Sequence, residues 1–196
     1  MNGMISKWIG LALVLLSACA GVGWGESYGY RVGEAYAFAA KWPAVVKQQF
    51  NMPYALAVDS GGYVYLAETY GHRIIKLDPQ GELVATWGKY GTGLGELNWP
   101  TDIAVGSDGR VYVADTNNHR VQVFKPDGIP ANAWGRKGNQ DGEFNKPMGI
   151  DVDADGNVIV TESSGNRVQK FTGDGNFRFP DPGGKWVGAF SRQARV

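Results

Sequence analysis

An all-β fold made of repeated four-stranded antiparallel units is predicted by three features of the sequence. The first is a period: Pro53, Pro100 and Pro147 stand 47 residues apart, and the same succession of residue types returns around each. The second is the content of each period, four short runs rich in Val, Ile and aromatic residues, separated by Gly, Asp, Asn and Pro. Runs of that length with that punctuation are strands joined by tight turns. The third is glycine, 29 of 196 residues, about twice the ordinary share and placed at recurring turn positions. A fixed period sets the register in which every local motif has to be read.

The middle copy shows the elements in order. Residues 101–105 form a first strand, and Ser107-Asp108-Gly109 turns the chain into a second strand at 110–114. Residues 116–119 are a loop, 120–124 a third strand, 125–128 a turn, and 131–134 a fourth strand. The second strand returns as Val64-Tyr65-Leu66-Ala67-Glu68 and Val158-Ile159-Val160-Thr161-Glu162, each closed by an acid, as Asp115 closes the middle copy. An arginine follows at 73, 120 and 167, and Trp87-Gly88 matches Trp134-Gly135. Four strands in a unit of about 40–50 residues is the arithmetic of a β-propeller blade. The repeats span about 50–96, 97–143 and 144–190 within a segment at 36–196. Residues 36–42 add a further fourth strand without the three that should precede it. After Gly175 the pattern degrades into Pro180, Pro182, Gly183 and Gly184, with Trp186-Val187-Gly188 as a displaced fourth strand.

The residues Phe-x-x-Pro, Asp-x-x-Gly-x-Val-Tyr-Val-Ala-Asp, Asn-His-Arg-Val-Gln-x-Phe and Trp-Gly, in that succession, resemble the NHL-repeat family of β-propellers. The resemblance covers residues 36 to about 177. It implies a six-bladed ring, of which this chain supplies three repeats and an extra strand. Unclosed blades leave open strand edges, so the chain is expected to be part of a longer propeller or to pair as a homodimer around a two-fold axis.

Composition and the N-terminus bear on compartment. Hydrophobic residues make up 43% of the chain and aromatics 12%, enough for a core, and the formal net charge is zero. Zero charge removes the electrostatic footprint expected of a nucleic-acid-binding surface. Lys7, the apolar run 8–16 and Ser17-Ala18-Cys19 are laid out as a secretory signal over residues 1–19. Leu16-Ser17-Ala18-Cys19 resembles the lipobox of bacterial lipoproteins, in which Cys19 would carry lipid; an ordinary signal peptide with an incidental Cys19 is the other reading. Residues 20–35, rich in glycine, read as a tether. Periplasmic or cell-surface export with a membrane anchor is the expected location. Cys19 is the only cysteine, so the domain has no intrachain disulfide and depends on its core.

Several motifs lose their apparent chemistry once placed in register. Residues 151–162 carry the spacing of a calcium-binding loop, but the equivalent residues 57–68 and 104–115 lack most of the acids and read as strand, turn, strand. Gly91-Thr92-Gly93-Leu94-Gly95 precedes a strand where a phosphate cradle needs a helix, and is a linker between blades. His72 and His119 occupy one repeat position, with Asn166 in the third copy; two histidines fall short of a zinc site and suit loop residues bonded to backbone. Glu68 with Arg73, Asp115 with Arg120 and Glu162 with Arg167 bracket the same loop in each copy and are expected to pair across it.

Strand alternation puts the second-to-third-strand loops and the connections between blades on one face. There the copies differ, and loops on a rigid scaffold carry binding function. The candidate binding residues are Tyr70, His72, Asn117, Asn118, His119, Ser164, Asn166, Arg136 and Lys137, with Tyr54 and Asp102 near the start of first strands. No catalytic residue, cofactor or metal is assigned. The favoured reading is a binding scaffold for a protein, peptide or glycan. The alternative, implied by the family resemblance, is a metal-dependent enzyme of the lactonase-like or peptidyl-amide-lyase-like kind, with its remaining blades missing or supplied by a second chain. RNA binding, also found among NHL proteins, fits neither the export signal nor the charge.

Overall fold

The structure is a computed structural model and describes residues 50–178. The signal, the tether, the extra strand at 36–42 and Trp186-Val187-Gly188 lie outside the described residues. Three antiparallel sheets follow one another along the chain. The first holds β1 (Pro53–Val58), β2 (Val64–Glu68), β3 (Arg73–Leu77) and β4 (Leu83–Trp87), hydrogen-bonded in that order. The second repeats it with β5 (Pro100–Val105), β6 (Val111–Asp115), β7 (Arg120–Phe124) and β8 (Pro130–Trp134). The third has β9 (Pro147–Val152), β10 (Val158–Glu162) and β11 (Arg167–Phe171). A short 3-10 turn at Thr116–Asn118 tightens the loop between β6 and β7.

The third sheet departs from the sequence expectation at its outer edge. Phe177 bridges Phe171 antiparallel, and the Arg178 N–H donates to the Lys170 carbonyl at 2.9 Å. The equivalent pairs in the other blades are Leu77 with Leu83 and Phe124 with Pro130. Pairing with the outer edge of the third sheet therefore begins at its repeat position, at Phe177 and Arg178, ahead of Pro180.

Each first strand enters at a proline that has no N–H to give its neighbour. The ladders shift register there, between Pro53 and Ala55, between Pro100 and Asp102, and opposite Pro147 between Thr161 and Glu162. The first strands lie side by side, β1 against β5 and β5 against β9, as the inner strands of successive blades. Their junctions are stitched by repeat-equivalent hydroxyls: Thr69 Oγ1 donates to the Pro100 carbonyl at 2.7 Å, and Thr116 Oγ1 to the Pro147 carbonyl at 2.6 Å.

Between blades the core is one aromatic chain, used twice. Tyr65 meets the edge of Trp87, which tilts against Phe124 of the next blade; Tyr112, Trp134 and Phe171 do the same one repeat later. Both tryptophans lie over glycines of the following blade. A Cβ on Gly128 would fall 2.6 Å from the Trp87 ring, and one on Gly175 2.5 Å from Trp134. The two glycines also hold φ of 86° and 88°, a region that costs other residues about 1 kcal/mol or more. The glycine that closes the third turn of a repeat is thus needed for its conformation and for the ring above it.

Candidate functional site

The loop face is built on the acid that ends each second strand. Asp115 is fully buried. Its carboxylate accepts from the Asn98 N–H at 2.7 Å, Arg120 Nε at 2.7 Å, Asn118 Nδ2 at 2.9 Å and Gln122 Nε2 at 3.1 Å. Arg120 then turns its other nitrogens outward, Nη1 to the Thr92 carbonyl at 2.7 Å and Nη2 to the carbonyls of Gly93 and Glu96 at 2.8 and 2.9 Å. Glu162 and Arg167 repeat this one blade on: Arg167 Nε lies 2.6 Å from Glu162, and its Nη atoms take the carbonyls of Asn139, Gln140 and Glu143. In the first blade Glu68 accepts from Arg73 Nε at 2.5 Å and from the Asn51 N–H at 2.8 Å. The sequence reading has only the acid-to-arginine pair. It misses the second task of Arg120 and Arg167, which is to hold the connection arriving from the preceding blade. Residues 91–95 are accordingly a pinned turn: Gln122 accepts from the Gly95 N–H at 2.9 Å, and Gly91 gives its carbonyl to Asn118 Nδ2 at 2.8 Å.

On this frame two residues per blade take left-handed backbone. His72, His119 and Asn166 have φ of 51°, 55° and 50°, and Met52, Trp99 and Lys146, each just before a proline, have φ of 54°, 63° and 61°. Non-glycine residues seldom adopt this region, and outliers of this kind gather at functional sites. A hydrogen bond ties the two positions together: the Trp99 N–H donates to His72 Nδ1 at 3.1 Å, and the Lys146 N–H to His119 Nδ1 at 3.2 Å. An accepting Nδ1 requires a neutral ring with its proton on Nε2. For His119, burial first and then the Lys146 and Lys137 ammoniums push the imidazole below its usual range, against a pull upward from the Phe144 carbonyl.

With the backbone shared, what each junction displays is set by side chains. Between the first and second blades, Tyr70 stands edge-to-face on Trp99 with ring centroids 4.8 Å apart, and His72 on Tyr90 at 5.0 Å. Tyr70 and Tyr90 are 52% and 69% exposed, so this is an aromatic surface open to solvent. At the next junction the same four positions are Asn117, Lys146, His119 and Lys137. Lys146 Nζ donates to Asn117 Oδ1, and Lys137 is exposed. One junction therefore offers ring faces and the other ammonium donors. Trp99 and Lys146 are absent from the sequence-derived candidates; the signal available for them was the changing residue before each proline.

The remaining candidates are scattered. Ser164 and Asn166 are exposed on the third blade, with the Ser164 N–H reaching the Asn145 carbonyl at 3.3 Å. Arg136 is exposed on the connection between the second and third blades, paired to Glu143 at 2.9 Å. Asn118 is occupied by Asp115 and Gly91, and serves the frame. Tyr54 is 54% exposed on β1. Asp102 lies at the junction of the inner strands, where its carboxylate accepts from the N–H groups of Ile150 at 2.8 Å and Ile103 at 2.9 Å. Burial pushes its carboxyl up, partly offset by those two bonds.

Two acids of the calcium-like segment, Asp153 and Glu162, are engaged elsewhere. Asp153 accepts from the N–H groups of Asp155 and Asn157 and from Asn157 Nδ2, and pairs with Lys170 at 3.1 Å. Against the upward pull of partial burial, these partners hold its carboxyl down at about 2. Glu162 is buried in the third-blade node. Among the described residues, no three His, Cys, Asp or Glu side chains converge as metal ligands.

Successive four-stranded sheets, with inner strands adjacent and connections clamped on one face, define a segment of a β-propeller. The NHL repeat family model matches residues 97–124 and 144–171, so two of the repeats are NHL repeats. No curated protein matches the chain. Among solved structures it is similar to hydrazine synthase of Kuenenia stuttgartiensis, with 18% identity, TM-score 0.54, and coverage of 68% of this chain and 36% of that one. It is similar to virginiamycin B lyase of Staphylococcus aureus at 22% identity and TM-score 0.52, over 69% and 44% of the two chains. The nidogen/laminin complex gives 23% identity and TM-score 0.52, over 66% and 48%. The chain spans less than half the length of each of these structures, and the likeness is one of fold.

Proposed function

We propose that this is an exported, lipid-anchored NHL-repeat propeller that binds a protein or peptide partner through its loop face. The observation that carries the reading is the paired left-handed backbone at each blade junction, fixed by the histidine bond, with its side chains changed from rings to ammoniums between copies. A repeat that served only the fold would keep those residues. Exposed tyrosines and a tryptophan on rigid backbone are what binding hot spots are made of, since they bury much area for little lost entropy. That nidogen and laminin meet in a structure of this fold supports a protein partner here.

The test is site-specific photo-crosslinking in cells making the full chain, with a benzophenone amino acid at position 70, 90 or 137, and at Ile129 as an exposed control on the opposite face. A discrete adduct from the first three positions and none from Ile129 is expected. Equal labelling everywhere, or adducts with glycan alone, would count against it. For the anchor, Cys19→Ser should abolish fatty-acid labelling and release the protein from membranes; an unchanged membrane fraction would reject lipidation.

Ring closure is proposed through a second copy, because the matched part of this chain covers less than half of each similar structure. Light scattering giving twice the chain mass is the expected result, and a monomer would point to a longer parent protein. The metal-enzyme alternative then needs ligands from beyond the described residues.

A further inference from the structure

The opposite face, where the Gly turns lie, carries a cleft of about 350 Å³ between the second and third blades. Its origin is visible by comparison with the preceding junction. In the first blade the buried Tyr65 hydroxyl donates to Asp59 Oδ2 at 3.1 Å, and Lys76 lies over the Tyr63 and Tyr65 rings with its Nζ on the Pro126 carbonyl at 3.0 Å. One repeat on, Asp59 is replaced by Gly106, Lys76 by Val123 and Pro126 by Gly173. Three side chains that fill the first junction are thus cut back at the second, and the cleft occupies that space.

Tyr112, the counterpart of Tyr65, is only 1% exposed and lines the cleft. With Gly106 in place of the aspartate, its hydroxyl has no hydrogen-bond partner among the described residues and opens onto the cleft. Burial pushes this phenol up to about 12, so it keeps its proton as a donor at neutral pH. Beside it stands Arg110, whose Nε is held by Asp108 at 2.5 Å and whose Nη1 is held by Asp174 at 2.8 Å and the Gly173 carbonyl at 3.1 Å. Nη2 is left over. The two open donors converge: a Cβ on Gly173 would stand 2.5 Å from Arg110 Nη2 and 2.8 Å from the Tyr112 hydroxyl.

The rest of the lining decides the ligand class. Ser107 and Asp155 add a hydroxyl and a carboxylate, and Arg178 a second guanidinium. Arg110 and Arg178 are balanced by Asp108, Asp155 and Asp174, so the cleft has no positive field to hold an anion. It has donors and acceptors side by side in a polar hollow of the size of a small-ligand site. Vicinal hydroxyls, which accept and donate from adjacent atoms, match that alternation. We infer that the cleft between the second and third blades binds a neutral saccharide, one sugar unit placing its hydroxyl oxygens on Tyr112 and Arg110 and its hydroxyl protons on Asp155. This site is separate from the loop face and stands or falls without it.

The experiment titrates the full chain with cellobiose, maltose and chitobiose, and with a galacturonic acid dimer as the charged counterpart, reading amide shifts by NMR. Saturable shifts with at least one neutral disaccharide are expected, centred on residues of the second and third blades. Tyr112→Phe should weaken that binding at least tenfold while leaving Tm unchanged or raised, because the hydroxyl it removes has no partner among the described residues. Gly173→Ala, which sets a methyl between the two donors, should abolish binding. No saturation below about 20 mM, weaker than any useful recognition, would overturn the inference. So would binding of the acid alone, or a Tyr112→Phe variant that binds normally and melts lower.

Discussion

His119 Nδ1 accepts the backbone N–H of Lys146 at 3.2 Å, and both residues sit in the left-handed region at φ 55° and 61°. The bond is made only by a neutral imidazole, and the Lys146 side chain that follows it is part of what keeps the ring neutral. Backbone geometry and ring protonation at this junction are therefore one equilibrium.

That coupling predicts an acid limb in stability. The folded protein lowers the pKa of His119, so the unfolded chain binds the proton more readily. Stability is complete above the unfolded value of about 6.5 and falls as pH drops through that value towards the lower folded one. Urea denaturation between about pH 8 and 5 should show this loss. His119→Asn, the residue type found one repeat later at Asn166, should flatten it; an unchanged slope would mean that other groups govern the limb.

Arg120 ties the buried Asp115 to three carbonyls of the incoming connection. Arg120→Ala leaves a buried carboxylate without its charge partner and frees residues 92–96, and should cost about 3 kcal/mol, lowering Tm by roughly 10 °C. Arg120→Lys should recover less than half, because a single ammonium cannot reach the carboxylate and the carbonyls together. Full recovery by lysine would show that charge alone matters there. Because the clamped connection carries Tyr90, crosslinking from position 90 should weaken with the same variants.

Most of the blade was legible because its causes are local and repeated. Val and Ile alternation, turn glycines and the acid-arginine spacing each recur at 47 residues, so three registers confirm one reading. The pairing of Asp115 with Arg120 could be placed from spacing across a four-residue loop. Its link to Thr92 and Gly93 could not, since a guanidinium has five donors and the sequence does not say where the spare ones point. Left-handed backbone at Trp99 and Lys146 was invisible for a sharper reason. A residue before proline is ordinarily pushed to extended backbone, so the local rule pointed the wrong way and the histidine bond overrode it. The cleft was hidden because it consists of side chains that are missing, and Gly106 and Gly173 carry no signal until Asp59 and Pro126 are laid beside them.

Asp153 gives a second pH test, of opposite chemistry. Its carboxyl, held at about 2 by Asn157 and Lys170 against partial burial, contributes stability that is complete above the unfolded value of about 3.9 and lost as pH falls through about 2. Asp153→Ala should cost roughly 1–2 kcal/mol at pH 7 after allowance for solvent screening, and little at pH 2. Calcium at millimolar concentration should leave the Tm of the parent chain unchanged, since Asp153 and Glu162 are already committed. A calcium-dependent rise in Tm would restore the loop as a cation site.

Lys146 is the position where conformational cost and display can be separated. A lysine in left-handed backbone carries a penalty of about 1 kcal/mol that glycine does not. What Lys146→Gly gives up is a partly exposed contact with Asn117, worth less than about 1 kcal/mol. The variant should therefore be as stable as the parent or up to roughly 0.5 kcal/mol more so. It should also let the His119 pKa rise towards its unfolded value, because one of the ammoniums that lowers it is gone, and so make the acid limb of stability smaller. If the ammonium is displayed for a partner, the same substitution should lose photo-crosslinking from neighbouring position 137 in a protein that melts no lower. A drop in Tm of more than a few degrees would instead make Lys146 a part of the frame, and would remove the second junction from the binding surface.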